Sequence, residues 1–272
     1  MIRFSRLCLS FAVAALSVAS ASAGVVKFTN TTDTIAVSTG TTLTSASTYE
    51  ARILFTTALN RFGMVFNEWT NGQEDKMLTA GPTGLTGYNY PVFGSMLNGS
   101  PAVSLNTWHH IAMVYDGAQE RLYLDGVLVS SRASSGSIGN AAGLPFIGAL
   151  FRDAATTPAF GGYLDWLRVS NVSRYSGASF SAPVAQPATD ASTQLLYYFD
   201  ENSGTTTADQ SSFGRTGTLG TGFGGATSPT FTADPVTPAP VGTPTLSEWA
   251  IALLVMAFIG IGATKIRKAP AL

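Results

Sequence analysis

Asn106-Thr107-Trp108-His109-His110-Ile111-Ala112-Met113-Val114-Tyr115-Asp116-Gly117 continues as Ala118-Gln119-Glu120-Arg121-Leu122-Tyr123-Leu124-Asp125-Gly126-Val127-Leu128-Val129. Two Asp-Gly pairs punctuate three apolar runs, and Asp-Gly suits tight hairpin turns because those turns need positive φ. The stretch therefore predicts a three-stranded antiparallel meander. Further strand signals lie on both sides: Tyr49-Glu50-Ala51-Arg52-Ile53-Leu54-Phe55, Arg61-Phe62-Gly63-Met64-Val65-Phe66, and Gly162-Tyr163-Leu164-Asp165-Trp166-Leu167-Arg168-Val169-Ser170. No helical period persists between the chain ends, so the body is predicted to be all-β, a sandwich or a barrel.

The same residues carry a family resemblance. W-H-H-I-A-M-V-Y-D-G (108–117) followed by R-L-Y-L-D-G-V-L-V (121–129) resembles the central signature of LamG-like, concanavalin A-like jelly-roll domains. F-I-G-A-L (146–150) with G-G-Y-L-D-W-L-R-V-S-N-V-S-R-Y (161–175) is similar to the closing strand of bacterial members. Leu195-Leu196-Tyr197-Tyr198-Phe199-Asp200-Glu201-Asn202-Ser203-Gly204 with Asp209-Gln210-Ser211-Ser212-Phe213-Gly214 resembles their "FDE…D-S-S-G" segment. In many relatives that segment opens the domain, whereas here it stands last. Sandwich termini often lie side by side, so one slot can be filled from either end. Residues 191–234 are thus expected to complete a LamG-like β-sandwich of 24–190. The alternative is a truncated second repeat, which would leave Leu195, Leu196 and Phe199 with no face to bury against.

Both ends of the chain read as addresses. Arg3 and Arg6 precede a mostly apolar run from Leu7 to Val18, and Ala21-Ser22-Ala23 supplies small residues for a signal peptidase, so 1–23 reads as a signal peptide cut after Ala23. The single cysteine, Cys8, would leave with it, which excludes disulfides and thiolate metal sites from the mature protein. Residues 235–243 read as a Pro/Thr-rich linker. The uncharged run Trp249–Ala263 is followed by Lys265, Arg267 and Lys268, the pattern of a transmembrane helix with its basic end in the cytoplasm. Residues 244–268, opening Pro244-Thr245-Leu246-Ser247-Glu248-Trp249, resemble the IPTL-CTERM sorting signal of Gram-negative bacteria. That resemblance implies an exosortase-type processing enzyme as a partner, an inner-membrane tether and delivery to the cell surface or medium. Pro244, Thr245, Leu246, Ser247 and Trp249 would be that enzyme's substrate. Two positions depart from the pattern: Thr243 replaces Ile, and Ala250 replaces Gly.

Composition narrows the function. Charged residues make up 11% of the chain, against roughly 25% in ordinary soluble domains. Segment 24–247 holds 10 basic and 15 acidic residues, and the negative balance disfavours nucleic acid as a partner.

Chemistry-bearing motifs are scarce. The two histidines, His109 and His110, are adjacent, and adjacent strand residues point to opposite faces. They cannot share a metal, are expected to serve packing and hydrogen bonding, and leave few candidates for a Ser-His-Asp arrangement. Glycosidases need two carboxylates projecting from one face, yet Glu74-Asp75 and Asp200-Glu201 are adjacent pairs whose members would diverge in a strand. Glu50 and Glu68 are the residues whose substitution would test an enzymatic reading. No catalytic residue is assigned and no cofactor is expected. Calcium is the one ion considered, with Asp200, Glu201 and Asp209 able to supply oxygens from a Gly/Ser-rich loop region and Asp165 expected semi-buried in a strand that it shares with Leu167 and Val169. Trp69, Tyr88, Tyr90 and Trp166 could stack on sugars, although sandwich aromatics usually belong to the core. Asn67–Lys76 and Pro82–Asn98 read as loop-rich stretches able to carry a binding surface. The sequence thus predicts a non-enzymatic surface module binding carbohydrate or protein, with a glycan-active hydrolase or a structural matrix protein as alternatives.

Overall fold

The computed structural model describes residues 24–43, 45–57, 63–70, 73–81, 84–89, 96–138, 143–149, 160–221 and 225–236. The signal-peptide reading, with Ala21 and Ala23, and the sorting and transmembrane readings, with Pro244, Thr245, Leu246, Ser247 and Trp249, lie outside them. Among the described residues no helix is long and apolar enough to cross a membrane.

The chain forms β1 (Gly24–Phe28), β2 (Thr34–Val37), β3 (Ser47–Phe55), β4 (Gly63–Thr70), β5 (Gln73–Gly81), β6 (Gly84–Asn89), β7 (Leu97–Gly99) and β8 (Trp108–Tyr115). It continues with β9 (Gln119–Leu124), β10 (Val127–Ala133), β11 (Leu144–Gly148), β12 (Gly162–Ser170), β13 (Thr193–Tyr197), β14 (Thr206–Thr207), β15 (Gly217–Leu219) and β16 (Thr230–Ala233). They make an all-β jelly-roll sandwich of two eight-stranded sheets whose ladders are antiparallel. The first runs β10-β9-β8-β3-β12-β1-β16, with β13 also on β12; the second runs β14-β15-β2-β11-β4-β5-β6-β7.

The predicted meander is present as β8-β9-β10. Its second turn is a two-residue loop, with Leu124 opposite Val127, and both central residues have positive φ, 51° at Asp125 and 77° at Gly126. In the first turn Asp116 accepts the N–H groups of Ala118 and Gln119, which orders the loop from its own side chain.

Alternation along the strands builds the core. Tyr49, Ala51, Ile53 and Phe55 of β3 face Phe66, Leu78 and Leu85 of the second sheet in one cluster with Ile111, Met113 and Tyr115 of β8. Phe160 caps it, with its ring centroid 4.6 Å from that of Phe28 and 5.7 Å from that of Phe55. Strand β12 pairs along one edge with β1 through Leu164 and with β13 through Leu167–Ser170. Leu195, Tyr197, Phe199 and Leu219 are buried in the same core, and β15 pairs with β2. Ala23–Pro235 is one compact unit.

Two sequence expectations are corrected. Asn67–Lys76 and Pro82–Asn98, expected to be loop-rich, carry strand at their described residues: the end of β4, the start of β5, all of β6 and the start of β7. The inward positions of these strands hold Glu68, Lys76, Gly87 and Asn89, which erases the apolar period that sequence reading depends on.

Candidate functional site

The outer face of the first sheet is closed by the segment 171–192, which crosses it without forming a strand. Tyr123 donates its hydroxyl to the Gly177 carbonyl at 3.0 Å, and the N–H groups of Leu128 and Phe180 bond to Ala178 and Gly126. Tyr175 and Phe180 stack at 3.7 Å over Ala112, Val114 and Tyr123. Beneath this strap Glu50 is 1% exposed. It accepts Arg168 Nε at 2.7 Å, the Tyr175 hydroxyl at 2.7 Å and, within 3.0 Å, His110 Nε2. Burial alone would push the Glu50 carboxyl up, but the His110 hydrogen bond and the Arg168 charge outweigh it and hold the group below the ordinary value. Trp166 is fully buried beside His110, so it belongs to the packing and not to a sugar platform.

Glu68 stands on the other sheet, 0% exposed and bonded to Lys76 Nζ at 2.8 Å. Glu50 and Glu68 therefore cannot form an acid and nucleophile pair, which requires two carboxylates on one open face.

Each calcium candidate holds at least one bond within the chain, while Glu201 Oε2 and Asp165 Oδ1 are buried without a partner. Asp209 accepts the N–H groups of Leu196, Ser211 and Arg215. Asp200 accepts Gly24 N–H and Gln186 Nε2, and Glu201 accepts Ala208 N–H. Asp165 pairs with Arg52 at 2.5 Å, and burial raises its carboxyl despite that partner. Among the described residues no group of three His, Cys, Asp or Glu side chains could hold a metal ion.

His109 is hydrogen-bonded as expected, and its two partners are a serine and a carboxylate. His109 Nε2 lies 2.7 Å from Ser104 Oγ, and His109 Nδ1 lies 2.7 Å from Asp125 Oδ2. Asp125 is fixed in turn by the His110 N–H at 2.9 Å. The tight turn folds Asp125 back onto the start of β8, and so builds a Ser-His-Asp line that residue spacing did not reveal.

The second sheet presents a different outer face. One cross-strand row runs Thr218, Ala36, Phe146, Asn67, Met77, Tyr88, and the next holds Met64, Thr79, Thr86 and Asn98. Met64, Met77 and Tyr88 pack together. The centre of this face is buried, while Tyr88 is half-buried and Asn98 and Leu144 are exposed at its margins. Asn67 Oδ1 and Thr79 Oγ1 are buried without a hydrogen-bond partner. Unmet acceptors in an apolar setting cost free energy, roughly 1–3 kcal/mol each, and natural proteins keep few of them. Trp69 is paired in register with Leu144, and Tyr90 lies outside the described residues.

Residues 23–178 match a family model described as the concanavalin A-like lectin/glucanases superfamily. A candidate carbohydrate-binding protein from Bacteroides ovatus is similar at 18% identity with a TM-score of 0.57, over 78% of this chain and 60% of that one. The chain thus spans about 60% of that protein's length. A heptameric SAP-like pentraxin from Limulus polyphemus matches at 15% identity and a TM-score of 0.46, over 57% of this chain and 79% of that one. A CBM40 of a Ruminococcus gnavus IT-sialidase, bound to α2,3-sialyllactose, matches at 15% identity and a TM-score of 0.45, over 56% of this chain and 91% of that one. No curated protein matches the chain.

Proposed function

Because the chain belongs to the concanavalin A-like lectin/glucanases superfamily, we propose that it is a non-catalytic carbohydrate-binding module that holds a glycan against the outer face of its second sheet. One observation carries this reading. At the margin of that face Tyr88 is half-buried and Asn98 and Leu144 are exposed, around a buried centre of Met64, Asn67, Met77 and Thr79, whereas the outer face of the first sheet is closed by the strap. A sugar presents what such a margin takes up, hydroxyl groups for the Asn98 carboxamide and C–H surface for Tyr88 and Leu144. The export and sorting patterns at the chain ends support display on the surface of a Gram-negative cell, after processing by an exosortase-type enzyme. Surface polysaccharide is then the nearest ligand.

A glycan array identifies the ligand, and titration calorimetry then compares variants. Tyr88→Ala and Asn98→Ala should each weaken binding by roughly tenfold, about 1.4 kcal/mol. Unchanged affinity in both would remove the site from this face.

A hydrolytic reading is kept because of one feature, the Ser104, His109 and Asp125 line. In it Ser104 would attack an O-acyl ester of a glycan, with His109 taking and returning the proton. A fluorophosphonate probe should then label the wild-type protein and leave Ser104→Ala unlabelled. No labelling of either confines the line to tethering the Asp125-Gly126 turn.

A further inference from the structure

The inward side of the second sheet holds a row of three polar residues that the glycan reading does not use. Glu68 of β4 lies directly opposite Lys76 of β5, and Lys76 lies directly opposite Asn89 of β6. All three are 0% exposed. Lys76 Nζ donates to Glu68 Oε2 at 2.8 Å, and Thr41 fixes the same carboxylate through its N–H at 2.9 Å and its hydroxyl at 2.7 Å. Asn89 has no comparable partner: its Oδ1 accepts nothing, and its Nδ2 reaches only the Met113 sulfur at 4.0 Å. An amine, a carboxamide and a carboxylate therefore stand in one cross-strand row closed to water. Directly opposed strand residues have Cβ atoms about 4.5–5.5 Å apart, a span that the lysine stem and the short asparagine stem can bridge.

We propose that Lys76 and Asn89 become joined by an intramolecular isopeptide bond, with Glu68 as the proton carrier. Glu68 takes one proton from the Lys76 ammonium, and the neutral amine adds to Cγ of Asn89. Glu68 gives that proton to the departing amide nitrogen and takes a second from the new amide nitrogen. The Nζ–Cγ bond forms, the Cγ–Nδ2 bond breaks, and one ammonia leaves. No oxidant, cofactor or water is consumed, so burial is all the reaction needs. The link would fasten β5 to β6 covalently beneath the proposed glycan face, in a mature protein expected to lack cysteine.

Peptide mapping of the folded protein tests this. Cleavage between residues 77 and 88 should release a branched peptide joining Lys76 to Asn89, lighter by one ammonia than its two parts. Glu68→Gln should retain the strand signature in circular dichroism while losing the branch completely. Lys76→Met, which keeps the stem without the amine, serves if Glu68→Gln does not fold, and it too should show the full mass over this region. Separate, full-mass peptides from the wild-type protein overturn the proposal. So does an ammonia deficit in this region that persists in Lys76→Met.

Discussion

Glu50→Ala is expected to destabilise the fold by about 3–5 kcal/mol, the range for breaking a buried ion pair from one side. The wild-type carboxylate accepts Arg168, Tyr175 and His110 together beneath the strap. Truncation would strand the Arg168 guanidinium, which is 7% exposed, with the Ala188 carbonyl as a remaining, long contact at 3.4 Å. It would also free Tyr175, whose stacking on Phe180 holds 171–192 to the sheet. Urea denaturation followed by Trp fluorescence measures the loss. A change below about 1 kcal/mol, the range of exposed pairs, would mean the network contributes little. The group's depressed pKa gives this contribution a direction in pH: it is present above the unfolded value of 4.5 and lost as pH falls through the lower folded value.

Glu120 should act in the opposite sense. It points inward from β9 and is 0% exposed, Arg132 supplies Nε and Nη2 to its Oε2, and its Oε1 has no partner. Burial raises its pKa to about 7 from 4.5, with the Arg132 charge opposing the rise. A carboxyl with a raised folded pKa stabilises the fold below its unfolded value, and that stabilisation disappears as pH climbs through the folded value. Between pH 4.5 and pH 8 the protein should lose on the order of 3 kcal/mol from this residue, at about 1.4 kcal/mol per unit. Glu120→Gln should keep its stability across that window. Parallel pH profiles for the two proteins would contradict the assignment.

The legible parts of the fold are those written in local chemistry. The meander followed from two Asp-Gly pairs, and the divergence of His109 and His110 followed from strand alternation. His110 does meet Glu50 under the strap, while His109 turns to Ser104 and Asp125. What escaped the sequence is what only cross-strand register creates. The second half of β4, with β5 and β6, was hidden because Glu68, Lys76, Gly87 and Asn89 occupy inward positions where a period of two expects apolar side chains. The Ser104 line was hidden because a turn brings Asp125 back across 16 residues to His109. One signal was available: charged residues set inside otherwise apolar strands, Glu50, Arg168, Glu68 and Lys76 among them, mark buried networks, since an unpaired charge is not tolerated there. The outer face of the second sheet could not be read, because Asn67, Thr79 and Tyr88 become neighbours only when three strands are in register.

The most direct measurement is a methyl and amide NMR titration of the protein with the best glycan from an array. Shifts should concentrate at Tyr88, Asn98 and Leu144, with Ala112, Tyr123 and Tyr175 beneath and within the strap unmoved. Saturable shifts centred on the strap or on the Asp125-Gly126 turn, with the second sheet silent, would contradict the glycan face.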